Sequence, residues 1–436
     1  MNRYNFISFL GIIILIALAF LFSTNRRKVN WHVVVWGLGL QVVFAWFLFV
    51  FPAGVRFFLW INDAVVSVMD SALAGARVVF GPLALPPGMT AETGERSVGF
   101  ILAFQAFPSI IFFSALMSIL YYYNIMTRLI KAFAHVFTKL MRVSGAESLC
   151  AASNIFVGVE SALTIKPFLK DMTRSELCVV LTTGMATVSS NVLAVYVFSL
   201  QQTFPHIAGH LISASFLSAP AALLMSKILL PETESPKTLG EHVEPHVERE
   251  NNLFEAVING ANTGVRLIVG IVALLIAVLG LVALLDQGVG FLGKYVNALF
   301  HLNFDWSLKG ILGVLFYPLT VILGIPPGDA VILSKIIGER MVVTEVTAYQ
   351  DLATAVAQGR ITDMRAAVIT TYALCGFAHV ASMAIFIGGV SAIVPEKTRV
   401  LAQIGFRALI AATLACLLTA CLAGVFFVQG SVLLGK

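Results

Sequence analysis

Charge is scarce in this 436-residue chain: Asp, Glu, Lys and Arg together make up 12% of it, about half of the roughly 25% found in an ordinary globular domain. With 58% hydrophobic residues, that scarcity excludes both a soluble enzyme and a disordered chain. Cysteine is also sparse. Cys150, Cys178, Cys375, Cys416 and Cys421 lie in apolar or small-residue stretches with no Cys-x-x-Cys pair and no adjacent histidine. They read as unpaired packing residues rather than disulfides or metal ligands. No basic face is large enough for a nucleic-acid partner, because the net charge of +5 sits mostly in short loops. Short, strictly alternating strands are missing as well, and the 34 glycines and 15 prolines are scattered through apolar blocks, which argues against a lipid-facing β-barrel. Neither His-Glu-x-x-His nor Gly-x-Ser-x-Gly occurs, so a membrane-embedded hydrolase built on Glu345 and His379 is a minor alternative.

What the chain does have is apolar blocks of about twenty residues or more, the length a helix needs to cross a hydrocarbon core of roughly 30 Å. The expected class is therefore an all-α, multi-pass membrane protein lying in a lipid bilayer. Phe6 to Phe22 is followed by Arg26, Arg27 and Lys28, whereas a cleaved leader carries its positive charge first, so this block is a permanent first span with its basic end in the cytoplasm. Val33 to Phe51 returns as the second span. Phe57 to Phe80, interrupted by Asp63, Asp70 and Arg77, is expected along the outer surface. Ser97 to Tyr122 is the third span, and the basic stretch bearing Arg128, Lys131, Lys139 and Arg142 is an interfacial helix.

Val143 to Lys170 is polar at its middle and basic at both flanks, which predicts a re-entrant helical hairpin rather than a crossing. Glu176 to Leu200 is long enough to cross, but Thr182, Thr183, Gly184, Thr187, Ser189, Ser190 and Asn191 crowd its centre and predict a broken helix. Leu211 to Leu230 crosses back, and Pro231 to Asn252 is a solvated cytoplasmic linker. Phe254 to Leu285 supplies an amphipathic approach and a span, with Val289 to Leu302 interfacial. The earlier order then recurs: a polar segment, Ile325 to Gln358, reads as a second hairpin, Ala366 to Ile393 is interrupted at Gly376, His379 and Ser382, and Val400 to Val428 closes the chain as a plain span. The two hairpins enter from opposite faces. An inverted-topology repeat with broken elements at mid-membrane is the architecture of a transporter. The expected units are 1–142 as scaffold, 143–230 as first repeat, 231–310 as linker with a scaffold span, and 311–436 as second repeat.

Three groups of residues carry the candidate chemistry. A carboxylate inside the membrane costs at least roughly 2.5 to 3.5 kcal/mol, so Glu160 and Glu345, near the middles of the two hairpins, need a reason to be there. Either they accept hydrogen bonds from a polar ligand, or they cap helix ends or pair with an arginine such as Arg340. His379 and Ser382, three residues apart, share a helix face and present a donor and an acceptor to a sugar hydroxyl or an ion, unless the histidine is a packing residue. Asn154, Thr187, Ser189 and Ser190 offer neutral oxygens that suit a monovalent cation, or else serve helix-to-helix hydrogen bonds.

At these residues the sequence resembles the concentrative nucleoside transporter family. The likeness rests on Asn154-Ile-Phe-Val-Gly-Val-Glu-Ser-Ala, Met172-Thr-Arg-Ser-Glu-Leu177, Gly184-Met-Ala-Thr187, Tyr372-Ala-Leu-Cys-Gly-Phe-Ala378 and Phe406-Arg-Ala-Leu-Ile410, and it runs from about Asn30 onward. The resemblance implies a homotrimer whose protomers each have a transport path, eight spans plus two hairpins, and nucleoside uptake driven by a Na⁺ gradient, with H⁺ as the alternative. It involves no cofactor. The family's Asn-Glu-Phe-Val-Ala-Tyr stands here as Thr344-Glu345-Val346-Thr347-Ala348-Tyr349, which makes Glu345 the ribose-binding acid. Its Gly-Phe-Ala-Asn-Phe-x-Ser stands as Gly376 to Ser382, which keeps Phe377 and Ser382 and puts His379 where a ribose-binding Asn would be. Asn154, Val157 and Ser189 fall where the family's sodium site draws ligands.

The first hairpin departs from the family pattern, for Gly-Gln-Thr-Glu-Ala-Pro becomes Gly158-Val159-Glu160-Ser161-Ala162-Leu163. The base-reading amide is gone and the acid stands one position earlier, a turn of roughly 100° on a helix. An acid at the base edge accepts from ring N–H or amino donors, which leans the expectation toward purine nucleosides. The reading is a symporter of the cell's inner membrane with Gly158, Val159, Glu160 and Ser161 near the base and Glu345, Phe377, His379 and Ser382 near the ribose. Another small polar solute is the alternative, and a gate protein that binds no ligand is a further one.

Overall fold

The computed structural model describes residues 3–86, 88–90, 94–158, 160–201, 204–247, 250–301 and 303–428, with the backbone only at 199. Val159 therefore lies outside the described residues. Within them the chain is helical, with two isolated bridges and no strand. Helices α1 (Arg3–Leu21) and α2 (Trp31–Phe49) are the first two spans, and α3 (Pro52–Phe80) follows as one unbroken helix. The chain then runs through a short α4 (Leu102–Gln105) into α5 (Phe107–Tyr122) and the amphipathic α6 (Ile125–Met141). The first hairpin is lopsided: α7 (Gly145–Asn154) forms its first limb, while its second limb holds only one helical turn, α8 (Ser161–Thr164). The broken span is α9 (Arg174–Ala186) and α10 (Ser190–Leu200), and α11 (Ile207–Leu229) crosses back.

The second half opens with α12 (Leu253–Phe300), a single helix of 48 residues. At 1.5 Å per residue it is about 72 Å long, more than twice the hydrocarbon core. The separate interfacial helix expected at Val289 to Leu302 is thus, as far as Phe300, the end of this one rod; Leu302 lies outside the described residues. No proline interrupts it, and a single glycine costs a helix only about 1 kcal/mol. Then come α13 (Leu308–Ile322), which the hydropathy reading missed, the second hairpin α14 (Pro327–Glu339) and α15 (Glu345–Ala357), the second broken span α16 (Met364–Leu374) and α17 (Val380–Ile393), and the last span α18 (Thr398–Phe426). Among the described residues eight helical stretches are long and apolar enough to cross a membrane. The stretch Pro52–Ala84, expected to lie along the surface, is one of them. The second broken span is not among them; its halves are 11 and 14 residues long.

The repeat is visible in hydrogen bonds as well as in order. At the tip of hairpin 1 the carbonyl of Phe156 accepts from the N–H of Ser190, the first residue of α10; at the tip of hairpin 2 the carbonyl of Met341 accepts from the N–H of Val380, the first residue of α17, each at 3.2 Å. Each tip therefore satisfies a donor that a broken helix exposes. The two breaks also touch each other. Gly376 has φ +102, and a Cβ there would lie 2.7 Å from the carbonyl of Ala186 at the end of α9. Two more glycines set the frame around the breaks. Gly260 and Gly264 of α12 would place Cβ atoms 2.7 Å from Ala115 Cα and 2.6 Å from Ile111 Cα of α5, the small-xxx-small contact that lets membrane helices approach closely.

At the base of hairpin 1, a buried ammonium ties it to α11: Lys227 Nζ is 2.8 Å from Glu147 and 3.3 Å from Glu232, and donates to Ser175 Oγ at 3.1 Å. The linker expected as a solvated loop is bonded across the hairpin's base. Gly145 N–H donates to Thr238 O at 2.8 Å, His246 N–H to Thr164 O at 2.8 Å, and the rings of His135 and His242 stack at 4.3 Å. The contact between the breaks gives a direct prediction. Gly376→Ala adds both overpacking, about 1 to 3 kcal/mol, and a side chain at positive φ. The purified variant should unfold several degrees below wild type, whereas Gly328→Ala, which meets nothing within 4 Å, should be neutral. Equal melting of Gly376→Ala and wild type would contradict the packing described.

Candidate functional site

The two hairpin tips and the two breaks surround one cavity. Gly158 and Glu160 line it from hairpin 1, Ser189 and Val192 from the first break, Thr344, Glu345 and Val346 from hairpin 2, and Phe377, His379 and Ser382 from the second break. Leu267, Ile271, Leu274 and Leu275 of α12 form an aliphatic wall opposite. Among the described residues the lining carries two carboxylates and no lysine or arginine, so it suits a ligand rich in hydrogen-bond donors, or a cation.

Glu345 is the first residue of α15, where a carboxylate sits well against the helix dipole. Its Oε1 accepts from the Tyr196 hydroxyl at 2.8 Å, and its Oε2 lies 2.8 Å from His379 Nε2. Tyr196 comes from α10 and packs on the ring of Tyr349 at 4.8 Å. The acid is therefore held by both repeats. His379 caps α17, and its Nδ1 accepts from the N–H of Ser382 at 3.2 Å. That bond assigns the ring proton to Nε2, which faces both Glu345 and the Ser382 hydroxyl, the latter at 2.7 Å. Glu345, His379 and Ser382 thus form one connected cluster.

Hairpin 1 divides its candidates. Gly158 and Glu160 reach the cavity, and a Cβ on Gly158 would lie 3.2 Å from Ser189 Cβ, so the tip rests against the break. Ser161 is buried and turned toward α7, its Oγ 3.8 Å from Cys150 Sγ. The candidate ion ligands sit just behind. Asn154 donates to Cys150 O at 3.0 Å and to Thr183 Oγ1 at 3.2 Å, while its buried Oδ1 has no hydrogen-bond partner among the described residues. Ser215 Oγ donates to both Ile155 O, at 3.0 Å, and Val188 O, at 3.4 Å, pinning the tip beside the break. Val157 and Ser189 belong to the same tip and break. An unpartnered amide oxygen beside unwound carbonyls is a neutral oxygen set of the kind a Na⁺ ion takes. The Thr187 hydroxyl instead bonds back to Thr183 O at 2.9 Å. Tyr196, Thr344, Phe386 and the α12 wall were not anticipated. Only Tyr196 carried a signal, since a hydroxyl in an apolar half-helix requires a partner.

Residues 210–424 match the model for the C-terminus of the Na⁺ dependent nucleoside transporters, 10–83 the model for their N-terminus, and 103–203 the nucleoside-recognition Gate model. An uncharacterised transporter of Haemophilus influenzae is 37% identical over 430 residues, covering 97% of this chain and 98% of that protein. Sodium/nucleoside cotransporter 1 of Rattus norvegicus is 35% identical over 98% of this chain, and solute carrier family 28 member 3 of Mus musculus 34% over 98%. The chain spans 64% and 59% of the length of these two. Among solved structures, CNTnw in an inward-facing substrate-bound state matches with a TM-score of 0.85 at 33% identity over 97% of this chain and 98% of that one. A doubly substituted CNTnw in an outward-facing state matches with a TM-score of 0.85 at 32% identity, covering 98% of each chain. With the hairpins, breaks and whole-length relatives in agreement, this chain belongs to the Na⁺ dependent, or concentrative, nucleoside transporter family.

Proposed function

We propose that this protein is a symporter of the cytoplasmic membrane that carries nucleosides inward with Na⁺. The observation that supports this reading most is the Glu345 cluster. A ribose diol donates to Glu345 Oε2, the oxygen that otherwise faces His379, while His379 Nε2–H and the Ser382 hydroxyl serve the sugar oxygens. Tyr196 holds the other carboxylate oxygen, so the acid keeps its position when substrate replaces its neighbour. Glu160, at the other side of the cavity, accepts from the base edge, which favours purines with ring N–H and amino donors. The cation binds between Asn154 Oδ1, Val157 and Ser189, beside the Ser215-pinned carbonyls. The name of sodium/nucleoside cotransporter 1 points the same way.

Alternating access fits the cavity's wall. The α12 face toward the site offers only aliphatic side chains, a surface along which the hairpins and breaks can slide without leaving polar groups unpaired. The cavity, about 130 Å³, is smaller than ordinary ligand pockets of roughly 300 Å³ and more, so admission of a nucleoside requires such movement. A homotrimer with a path in every protomer is part of this reading.

The His379 contact favours proton coupling as a second reading. A proton added at Nδ1 would set two donors face to face at Ser382, removing the α17 cap while charging the ring against Glu345. Uptake of labelled guanosine, adenosine and uridine into proteoliposomes under a Na⁺ gradient, an H⁺ gradient or neither separates the readings. Accumulation of guanosine first, under Na⁺, is expected. Accumulation under H⁺ alone establishes the second reading, and none under any gradient from folded, inserted protein moves the search to another polar solute. Glu345→Gln should lower uptake at least about 100-fold. Tyr196→Phe leaves a buried carboxylate oxygen without its donor, about 1 to 3 kcal/mol, and should raise the half-saturating nucleoside concentration about 5- to 150-fold. Asn154→Ala should abolish Na⁺ stimulation while leaving the melting temperature in Na⁺-free buffer within a few degrees of wild type. Unchanged Na⁺ dependence would remove Asn154 from the ion site.

A further inference from the structure

The inverted repeat pairs positions, and one pair is occupied by very different chemistry. The matched bonds from Ser190 to Phe156 and from Val380 to Met341 set Ile155 of hairpin 1 against Arg340 of hairpin 2. The same match sets Thr183 at the end of α9 against Ala373 at the end of α16. In the first repeat this place, behind the tip and against the end of the half-helix, lies beside Asn154 and its unpartnered Oδ1. In the second repeat it holds a guanidinium. Arg340 is wholly buried, and its Nη1 donates to Ala373 O at 2.7 Å.

The surroundings of Arg340 are those of an ion rather than of an ion pair. Its Nε and Nη2 have no hydrogen-bond partner among the described residues. The preceding Glu339 turns its carboxylate outward to Lys309, and Glu345 is committed to Tyr196 and His379. Tyr349 donates its hydroxyl to Thr371 O at 2.9 Å, and the Cys416 thiol donates to Cys375 O. What faces the guanidinium is the carbonyl end of a half-helix, which carries partial negative charge and is where broken-helix transporters coordinate their cations. A buried, uncompensated charge is costly, and a helix end set at mid-membrane is one of the few features that offset it.

We propose that Arg340 is a tethered cation, standing in the second repeat where the first repeat holds its coupling ion, so that each protomer binds and moves one cation per substrate. The inference rests on the placement of that ion at the first break. It makes the two halves electrostatically alike while leaving only one of them dependent on the external ion. A purely structural pin would hold hairpin 2 to α16 but would not set the number of ions bound.

The test counts ions without needing substrate. Equilibrium binding of ²²Na⁺ to purified protein, with choline replacing Na⁺ at constant ionic strength, should give one site per protomer for wild type and for Arg340→Lys. Arg340→Gln removes the charge and adds an amide oxygen beside Ala373 O, and should gain a second site that fills at about tenfold or more higher Na⁺. Two sites in wild type overturn the proposal, and so does no gain in folded Arg340→Gln. If Arg340→Gln fails to fold even in high Na⁺, Arg340→Lys decides: a folded protein with one site and uptake within about threefold of wild type sustains the proposal, and a folded protein without uptake overturns it. Should wild type bind no Na⁺, the ion placement in the first repeat fails, and the difference between wild type and Arg340→Gln alone judges this inference.

Discussion

The structure depends on one constraint: two helices are broken in the middle of an apolar layer, and every backbone group the breaks expose needs a partner. Lipid supplies none. Phe156 O and Met341 O serve the first donors of α10 and α17, Ser215 gathers the carbonyls of Ile155 and Val188, and Tyr349 and Arg340 serve the carbonyls that end α16. Because all of these partners except Ser215 of α11 come from the hairpins, the hairpins have to re-enter the membrane to the depth of the breaks. Because Gly376 lets the second break lie on the end of α9, both repeats converge on a single place. Site and fold are consequences of the same unmet hydrogen bonds.

That convergence explains the division of labour in the cavity. Carbonyls and neutral side chains at the first break make an oxygen set without formal charge. The carboxylates stand on the hairpins, Glu160 on the first and Glu345 on the second, with the His379 ring at the second break and Arg340 buried behind the second tip. Glu345 is the hinge between the two halves, since Tyr196 reaches it from the first repeat and His379 from the second. A ligand that binds there touches both halves at once, and a change at either break is felt at the other. The α5 and α12 pair, closed by Gly260 and Gly264, supplies an aliphatic boundary that makes no polar demands on the site.

Much of this was readable in the sequence, for identifiable reasons. The polar run from Thr182 to Asn191 and the Gly376 to Ser382 segment are unfavourable in a lipid-facing helix, and both mark breaks. Glu345, His379, Ser382, Glu160 and Gly158, far apart in the chain, meet because hairpin middles and span middles share one depth. The misses have physical causes too. The expected gap between Leu285 and Val289 is bridged by helix α12 without a break, and α13 is too short for a hydropathy rule tuned to full crossings. Ser161 turned to α7 because the second limb of hairpin 1 winds for a single turn, which no spacing argument fixes. The linker's bonds to hairpin 1 are made largely by backbone, and backbone bonds leave no side-chain pattern. The role of Gly260 and Gly264 needs knowledge of the facing helix, and that of Tyr196 needs knowledge of the other repeat.

The claim at the centre of this account is that a ribose diol is read by Glu345 inside a site assembled by both breaks and completed by Na⁺. Calorimetric titration of the purified protein with guanosine and with 2′,3′-dideoxyguanosine, in Na⁺ and in choline buffer, tests it most directly. The account predicts that guanosine binds and binds more tightly in Na⁺, and that loss of the two hydroxyls weakens binding by about 100-fold or more. Equal binding of the two compounds, or guanosine binding that ignores Na⁺, would contradict it.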